Sequence, residues 1–185
     1  MDSLVSTQWL ADNLDTEDLV VVDATMHLPD SPRKSSVEFV EGHVPGARFL
    51  DLVSFVATAS PVPKALPDAR QFADRLSQMG IAPSSRVVLY DDSQIRSAAR
   101  AWFIFRLYGF DQVAILDGGL GKWKSEGRPL EQGAASPAQS TYPAPHALRA
   151  VRSKTDMLAN CRSRAEQVVD ARDAARFAGE DGSGS

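Results

Sequence analysis

The chain has 185 residues, 43% of them hydrophobic and 24% charged, with a formal net charge of -4. This is ordinary globular composition, enough for one sizeable core and part of a second, and the absence of a basic footprint excludes nucleic acid as an expected partner. No apolar run reaches the ~18–20 residues of a membrane span, MDSLVSTQWLADNLD lacks the features of a secretory leader, and a single cysteine, Cys161, excludes an intrachain disulfide, so a reducing, cytoplasmic setting is expected.

Ser6 or Thr7 caps a short helix through Asn13, with Trp9 and Leu10 on its buried side. Leu19 to Val22 reads as a central strand, Ser35 to Glu41 as a helix closed by Gly42, and Arg48 to Leu50 as another short strand. Thr58 to Pro67, with its three prolines, is an extended loop. Asp68 caps a helix to about Met79, where Phe72, Leu76 and Met79 share one face and Gly80 ends it. Val87 to Tyr90 is a strand, Ser97 to Tyr108 an apolar helix, Gln112 to Leu116 a strand, and Leu120 to Ser125 a helix stopped by Gly127. Strands alternating with helices predict an α/β fold, a mainly parallel central sheet with helices on both faces.

The first domain is expected to span residues 1–130. Residues 131–149, rich in Ala, Pro, Ser and Gln, read as a surface linker. The pattern then restarts. VSTQWLADNLDTEDLVVVDAT near the N-terminus is echoed by VRSKTDMLANCRSRAEQVVDAR from Val151. Each gives a cap, an amphipathic helix, a charged turn and an apolar strand ending in Asp-Ala, at Asp23 and Asp170. A repeat of domain length indicates duplication. Only Ala171 to Ser185 follows the second aspartate, so residues 150–185 are expected to be the incomplete beginning of a second domain. Gly182 to Ser185 read as a flexible, low-complexity end.

Two further stretches carry a family resemblance. EGHVPGARFLD, from Glu41, and LDGGLGKWKSEGRPLE, from Leu116, resemble the two hallmarks of rhodanese-type sulfurtransferases. With VVDA near the start of each copy and SPVPKALP between the hallmarks, the resemblance covers nearly the whole chain and is nearest to the tandem-domain thiosulfate and 3-mercaptopyruvate sulfurtransferases. It implies a rhodanese-like fold and transfer of sulfur from 3-mercaptopyruvate or thiosulfate, through a cysteine persulfide, to cyanide, a thiol or a thioredoxin-like acceptor. It implies no cofactor. The catalytic loop of the family follows a strand and begins with Cys, its N–H groups facing inward toward a helix N-terminus. The matching loop here is YDDSQIRS, with Asp91 at the nucleophile's position. A carboxylate cannot take up a sulfane sulfur, and two acids would repel an anionic donor. The first domain therefore reads as the non-catalytic copy, packing against a catalytic domain whose Cys is expected downstream of Ser185, and the 185-residue chain alone is expected to be inactive. A catalytically dead module for binding or regulation is the alternative; a related phosphatase-like domain fails on Asp91.

Arg176, in ARDAARF, resembles the arginine that binds the donor carboxylate in mercaptopyruvate sulfurtransferases, and a guanidinium fork suits that edge. Its plain reading is a surface arginine paired with Asp173. The second arginine usual in the family is replaced by EDGSGS. Lys64 lies where relatives often carry a cleft histidine and is a weak candidate for a rim contact. Cys161 reads as an incidental thiol, His43 as a turn-fixing imidazole, and Arg100 as a partner of Asp91 or Asp92. Trp102, Phe103, Phe105 and Trp123 read as packing residues. GGLG fails as a phosphate loop, and Cys161 with His27, His43 and His146 matches no zinc spacing.

Overall fold

The apolar runs LVVV and VVLY form the two central strands of a parallel sheet, and both faces of that sheet are covered. The computed structural model describes residues 1–145 and 151–180. His146, the end of the expected linker and the tail at Gly182 to Ser185 lie outside the described residues. The chain forms two compact units, Met1–Leu148 and Arg149–Ser185.

In the first unit, β1 (Leu4–Val5), β2 (Leu19–Asp23), β3 (Arg48–Phe49), β4 (Arg86–Tyr90) and β5 (Val113–Leu116) make one five-stranded sheet in the order β1-β5-β4-β2-β3. Every pairing is parallel. Successive strand residues face opposite sides. Val20, Val22, Val87, Leu89 and Val113 pack with Phe72 and Leu76 of α3 (Ala69–Gln78) and with Ile104 and Phe105 of α4 (Ala98–Leu107). Val21, Val88, Ala114 and Leu116 pack with Leu10 of α1 (Thr7–Asn13), Phe39 of α2 (Ser35–Glu41) and Trp123 of α5 (Gly119–Ser125). Each fully buried Val, Leu or Phe contributes about 1.5–3 kcal/mol, so this two-sided burial dominates the stability of the unit.

The helix ends follow their caps. Ser6 accepts from the Trp9 N–H, and Asp68 and Gln71 form a reciprocal capping box. Gly80 ends α3 with φ +65°, a left-handed conformation that costs glycine little. Gly42 closes α2 as expected, its N–H donating to the Glu38 carbonyl at 3.0 Å, but with a φ of 175°, extended backbone. His43 also holds the end of α2: its Nδ1 hydrogen-bonds the Phe39 carbonyl at 2.7 Å while its ring stacks on Phe39.

Residues 131–145 are pinned to the first unit more firmly than a bare surface linker. Glu131 pairs with His43 as an antiparallel bridge. Ser140 donates to the Ile81 carbonyl, the Tyr142 N–H donates to Ser77 Oγ, and the Tyr142 ring meets Phe72 and Phe110.

In the second unit, α6 (Lys154–Ser163) begins in a Ser153–Asp156 capping box and α7 (Ala174–Ala178) is capped by Asp173. The strand expected to end at Asp170 does not form. Val168 and Val169 are 65% and 85% exposed. A strand is held by its ladder, and no described segment pairs with these residues. Among the described residues, no helix is long and apolar enough to cross a membrane.

Candidate functional site

Parallel strands deliver their C-terminal ends to one edge of the sheet, where loops carry the chemistry of α/β folds. Asp23 ends β2, and the segment from Asp91 to Ser97 joins β4 to α4. An α-helix begins with N–H groups that lack intrahelical partners, and its dipole favours negative charge there. Ser97, at the N-cap of α4, does not cap with its own side chain. Its hydroxyl donates to the Ala24 carbonyl and accepts from the Met26 N–H, at 2.8 and 2.9 Å.

The missing cap comes from Asp91. This buried carboxylate accepts from the Ala98 N–H at 2.6 Å through Oδ2 and from the Ser93 N–H at 3.2 Å through Oδ1. Ser93 Oγ accepts from the Ser97 N–H at 3.0 Å. Asp91 thus places an anion at the head of α4, within a cradle built from the loop and its own helix. A fixed carboxylate already occupying those donors leaves them unavailable to an external anion.

Asp92 faces the other way. Its N–H donates to Thr25 Oγ1 at 3.0 Å, and its carboxylate is held by Arg33 at 3.0 Å and lies 3.9 Å from Lys124. Arg33 also clamps Glu38, which His27 meets at 2.8 Å. Burial works against the charged form of Glu38, but Arg33 and His27 outweigh it and hold its carboxyl below the ordinary value. Of the charged residues lining the cavity of about 290 Å³ beside them, Arg33, Glu38, Asp92 and Lys124 are paired with one another.

Behind the loop, Asp23 is buried and accepts from the Thr25 N–H at 2.8 Å. Burial raises its pKa, and hydrogen bonds from Thr25 and Tyr90 oppose the rise. Burial, then the charge of Asp23, push the Tyr90 phenol far above its ordinary value, so it remains a neutral donor. The Asp-Gly-Gly turn before α5 closes the other side. The Leu120 N–H donates to the Asp91 carbonyl at 3.1 Å. A Cβ on Gly119 would lie 2.4 Å from that carbonyl oxygen, at φ +56°, so glycine is required for this approach.

The other sequence candidates fall as follows. Lys64 has an exposed side chain and φ +55°, and its carbonyl accepts from Arg100 at 2.7 Å. Arg100 thus ties the proline loop to α4 and pairs with neither Asp91 nor Asp92, contrary to the sequence reading; Arg33 and Lys124 take that role for Asp92. Arg33, Thr25 and Lys124 were missed because they reach the loop from distant parts of the chain. Arg176 lies in the second unit, on α7, where its N–H donates to the Asp173 cap at 3.0 Å. His43 fixes the turn after α2 as expected. Cys161 is exposed on α6. Phe105 and Trp123 are buried, Trp102 is partly buried, and Phe103 is 40% exposed. Among the described residues no group of three or more His, Cys, Asp or Glu side chains is arranged to hold a metal.

Comparison with known proteins gives this edge of the sheet a context. The 3-mercaptopyruvate sulfurtransferase of Mus musculus is 37% identical over 183 residues, covering 96% of this chain and 62% of the relative. The thiosulfate sulfurtransferase of the same species is 34% identical over 183 residues, covering 96% and 61%. The chain therefore spans less than two thirds of the length of these curated relatives. The crystal structure of SseA from Escherichia coli, described as a 3-mercaptopyruvate sulfotransferase, superposes with a TM-score of 0.88 at 34% identity, covering 96% of this chain and 68% of that one. The family model described as "Rhodanese-like domain" matches residues 6–126, from the cap of α1 past the end of α5 and through every element around the Asp91 loop, and the chain belongs to that family.

Proposed function

We propose that this chain is the non-catalytic rhodanese-like unit, with the opening of a second unit, of a sulfurtransferase. The complete protein moves sulfur from 3-mercaptopyruvate, or from thiosulfate, to a cysteine thiolate. The persulfide then passes its outer sulfur to cyanide, a thiol or a thioredoxin-like acceptor. The nucleophilic cysteine lies beyond Ser185, in the remainder of the second rhodanese unit. The observation that carries this reading is the seating of the Asp91 carboxylate on the Ser93 and Ala98 N–H groups. The position that would hold a persulfide is filled by an anion that cannot accept sulfur. Sulfurtransferase names among the relatives support the reaction class.

Arg176 anchors the donor carboxylate in this reading, and Lys64 is a weaker contact at the rim of the cleft. In the protein carrying the whole second unit, Arg176→Met should lower kcat/KM for 3-mercaptopyruvate by about 10- to 100-fold, the range for losing a hydrogen bond to a charged group. The loss should fall mainly in KM. Unchanged kcat/KM would remove Arg176 from the site. The closed loop also suits a rhodanese-like module retained for binding or regulation. Thiocyanate formation from 3-mercaptopyruvate and cyanide by the longer protein favours the enzyme, and its absence favours the module.

A further inference from the structure

Away from the Asp91 loop, a groove of about 400 Å³ is bounded by α2, β3, the end of α3 and residues of the 134–137 segment. That volume is within the range of small-ligand sites, about 300–1,000 Å³. Its apolar lining includes Phe39, Phe49 and Met79, and its charged lining is Arg48, Arg75 and Asp51. The formal balance is one net positive charge. We propose that this groove binds a small organic monoanion, a carboxylate on an apolar body, held by the guanidinium groups of Arg48 and Arg75.

The two arginines differ from their neighbours. Arg33, Arg86, Arg106 and Arg128 each meet a carboxylate at 2.6 or 2.7 Å. Among the described residues, Arg48 and Arg75 form no ion pair, and both are partly buried. Arg48 donates Nη1 to the Met79 carbonyl. Arg75 donates to the Asp51 carbonyl at 3.3 Å and to Ser54 Oγ at 3.1 Å, and lies over the Phe55 ring. All these acceptors are neutral. Burial holds the pKa of both guanidiniums below the ordinary arginine value, with Asp51 opposing the shift at Arg75. Capping α3 accounts for the bond from Arg48 to Met79 but leaves most of its planar fork uncommitted. A charge taken from water without an ion pair is costly; a carboxylate from solution relieves that cost at Arg48 and adds to the partial compensation that Asp51 gives Arg75. The aromatic and thioether surfaces beside them favour an anion with an apolar body over a bare inorganic one.

The test is an NMR titration of the 185-residue chain with benzoate, following the Met79 methyl and the Phe49 amide. Benzyl alcohol serves as the uncharged isostere and inorganic sulfate as the bare anion. Benzoate should give saturable shifts at both probes, while benzyl alcohol and sulfate bind at least about tenfold more weakly, since neither supplies both carboxylate and ring. Arg75→Met should weaken benzoate by about tenfold or more, and Arg48→Lys, which keeps charge but loses the fork, by less. Equal affinity for benzoate and benzyl alcohol would reduce the groove to an apolar cleft and overturn the proposal. Absence of saturation, or wild-type affinity in a folded Arg75→Met variant, would also overturn it. If Arg75→Met does not fold, the comparison with benzyl alcohol and the Arg48→Lys variant decide.

Discussion

Replacing Asp91 by alanine removes the one side chain that caps α4 and leaves the buried Ala98 N–H without its 2.6 Å acceptor. Losing a helix cap costs about 1 kcal/mol, with a range of roughly 0.5–2. Because that N–H is buried, the cost of the same lost bond lies at the upper end, about 1–3 kcal/mol. The like charge of Asp23 partly offsets this cost, because Asp91 contributes to the raised pKa there and its removal relieves that repulsion. The expected net loss is about 1–3 kcal/mol, which for a chain of this size is a fall in Tm of roughly 2–12 °C. Urea unfolding followed by tryptophan fluorescence and by far-UV circular dichroism measures it. Asp91→Asn keeps one acceptor oxygen and should fall between alanine and wild type. A loss below about 0.5 kcal/mol for Asp91→Ala would mean that the carboxylate is an ornament on the loop and not the anion that completes it.

The raised pKa of Asp23 sets a direction with pH. In the interval between its unfolded value and its raised folded value, the native state binds more protons than the unfolded state, so this residue makes stability fall as pH rises. The stability of Asp23→Asn relative to wild type should therefore rise as pH climbs past the unfolded value of about 4 and level off above the raised folded value, measured by urea midpoints across pH; a constant difference would refute the assignment. Gly119→Ala forces a Cβ against the Asp91 carbonyl at an unfavourable φ and should cost about 2–4 kcal/mol, read from the same unfolding curves. Tyr142→Ala should cost about 1–3 kcal/mol by removing the aromatic contacts to Phe72 and Phe110, and should speed amide exchange at Tyr142, whose N–H donates to Ser77.

Local chemistry made most of the first unit legible. Ser6, Asp68 and Gly80 set helix ends because capping is decided within a few residues. The two-residue β1 carries no readable period and exists through its pairing with β5. Val168 to Asp170 shows the converse: the apolar run has the composition of a strand but lacks the neighbour that a ladder requires. Tyr142, a lone aromatic in a Pro-, Ala- and Ser-rich stretch, gives no sign of its ring partners on α3 and beyond α4. At the loop, the missing Cys was visible, but the role of Asp91 was not. Capping patterns link residues three apart, whereas Asp91 reaches the Ala98 N–H across seven positions. Arg33 finds Asp92 across fifty-nine, a distance over which charge patterning carries no information. Arg48 and Arg75 likewise share a groove only once β3 and α3 have folded.

The most direct measurement is whether the 185-residue chain acquires sulfur. After incubation with 3-mercaptopyruvate or thiosulfate, intact-mass spectrometry should show no added sulfur atom, and cyanide should yield no thiocyanate above the protein-free blank. A stoichiometric persulfide, with turnover lost in Cys161→Ser, would contradict the placement of the nucleophile beyond Ser185 and the reading of the Asp91 loop as a cradle closed by its own carboxylate.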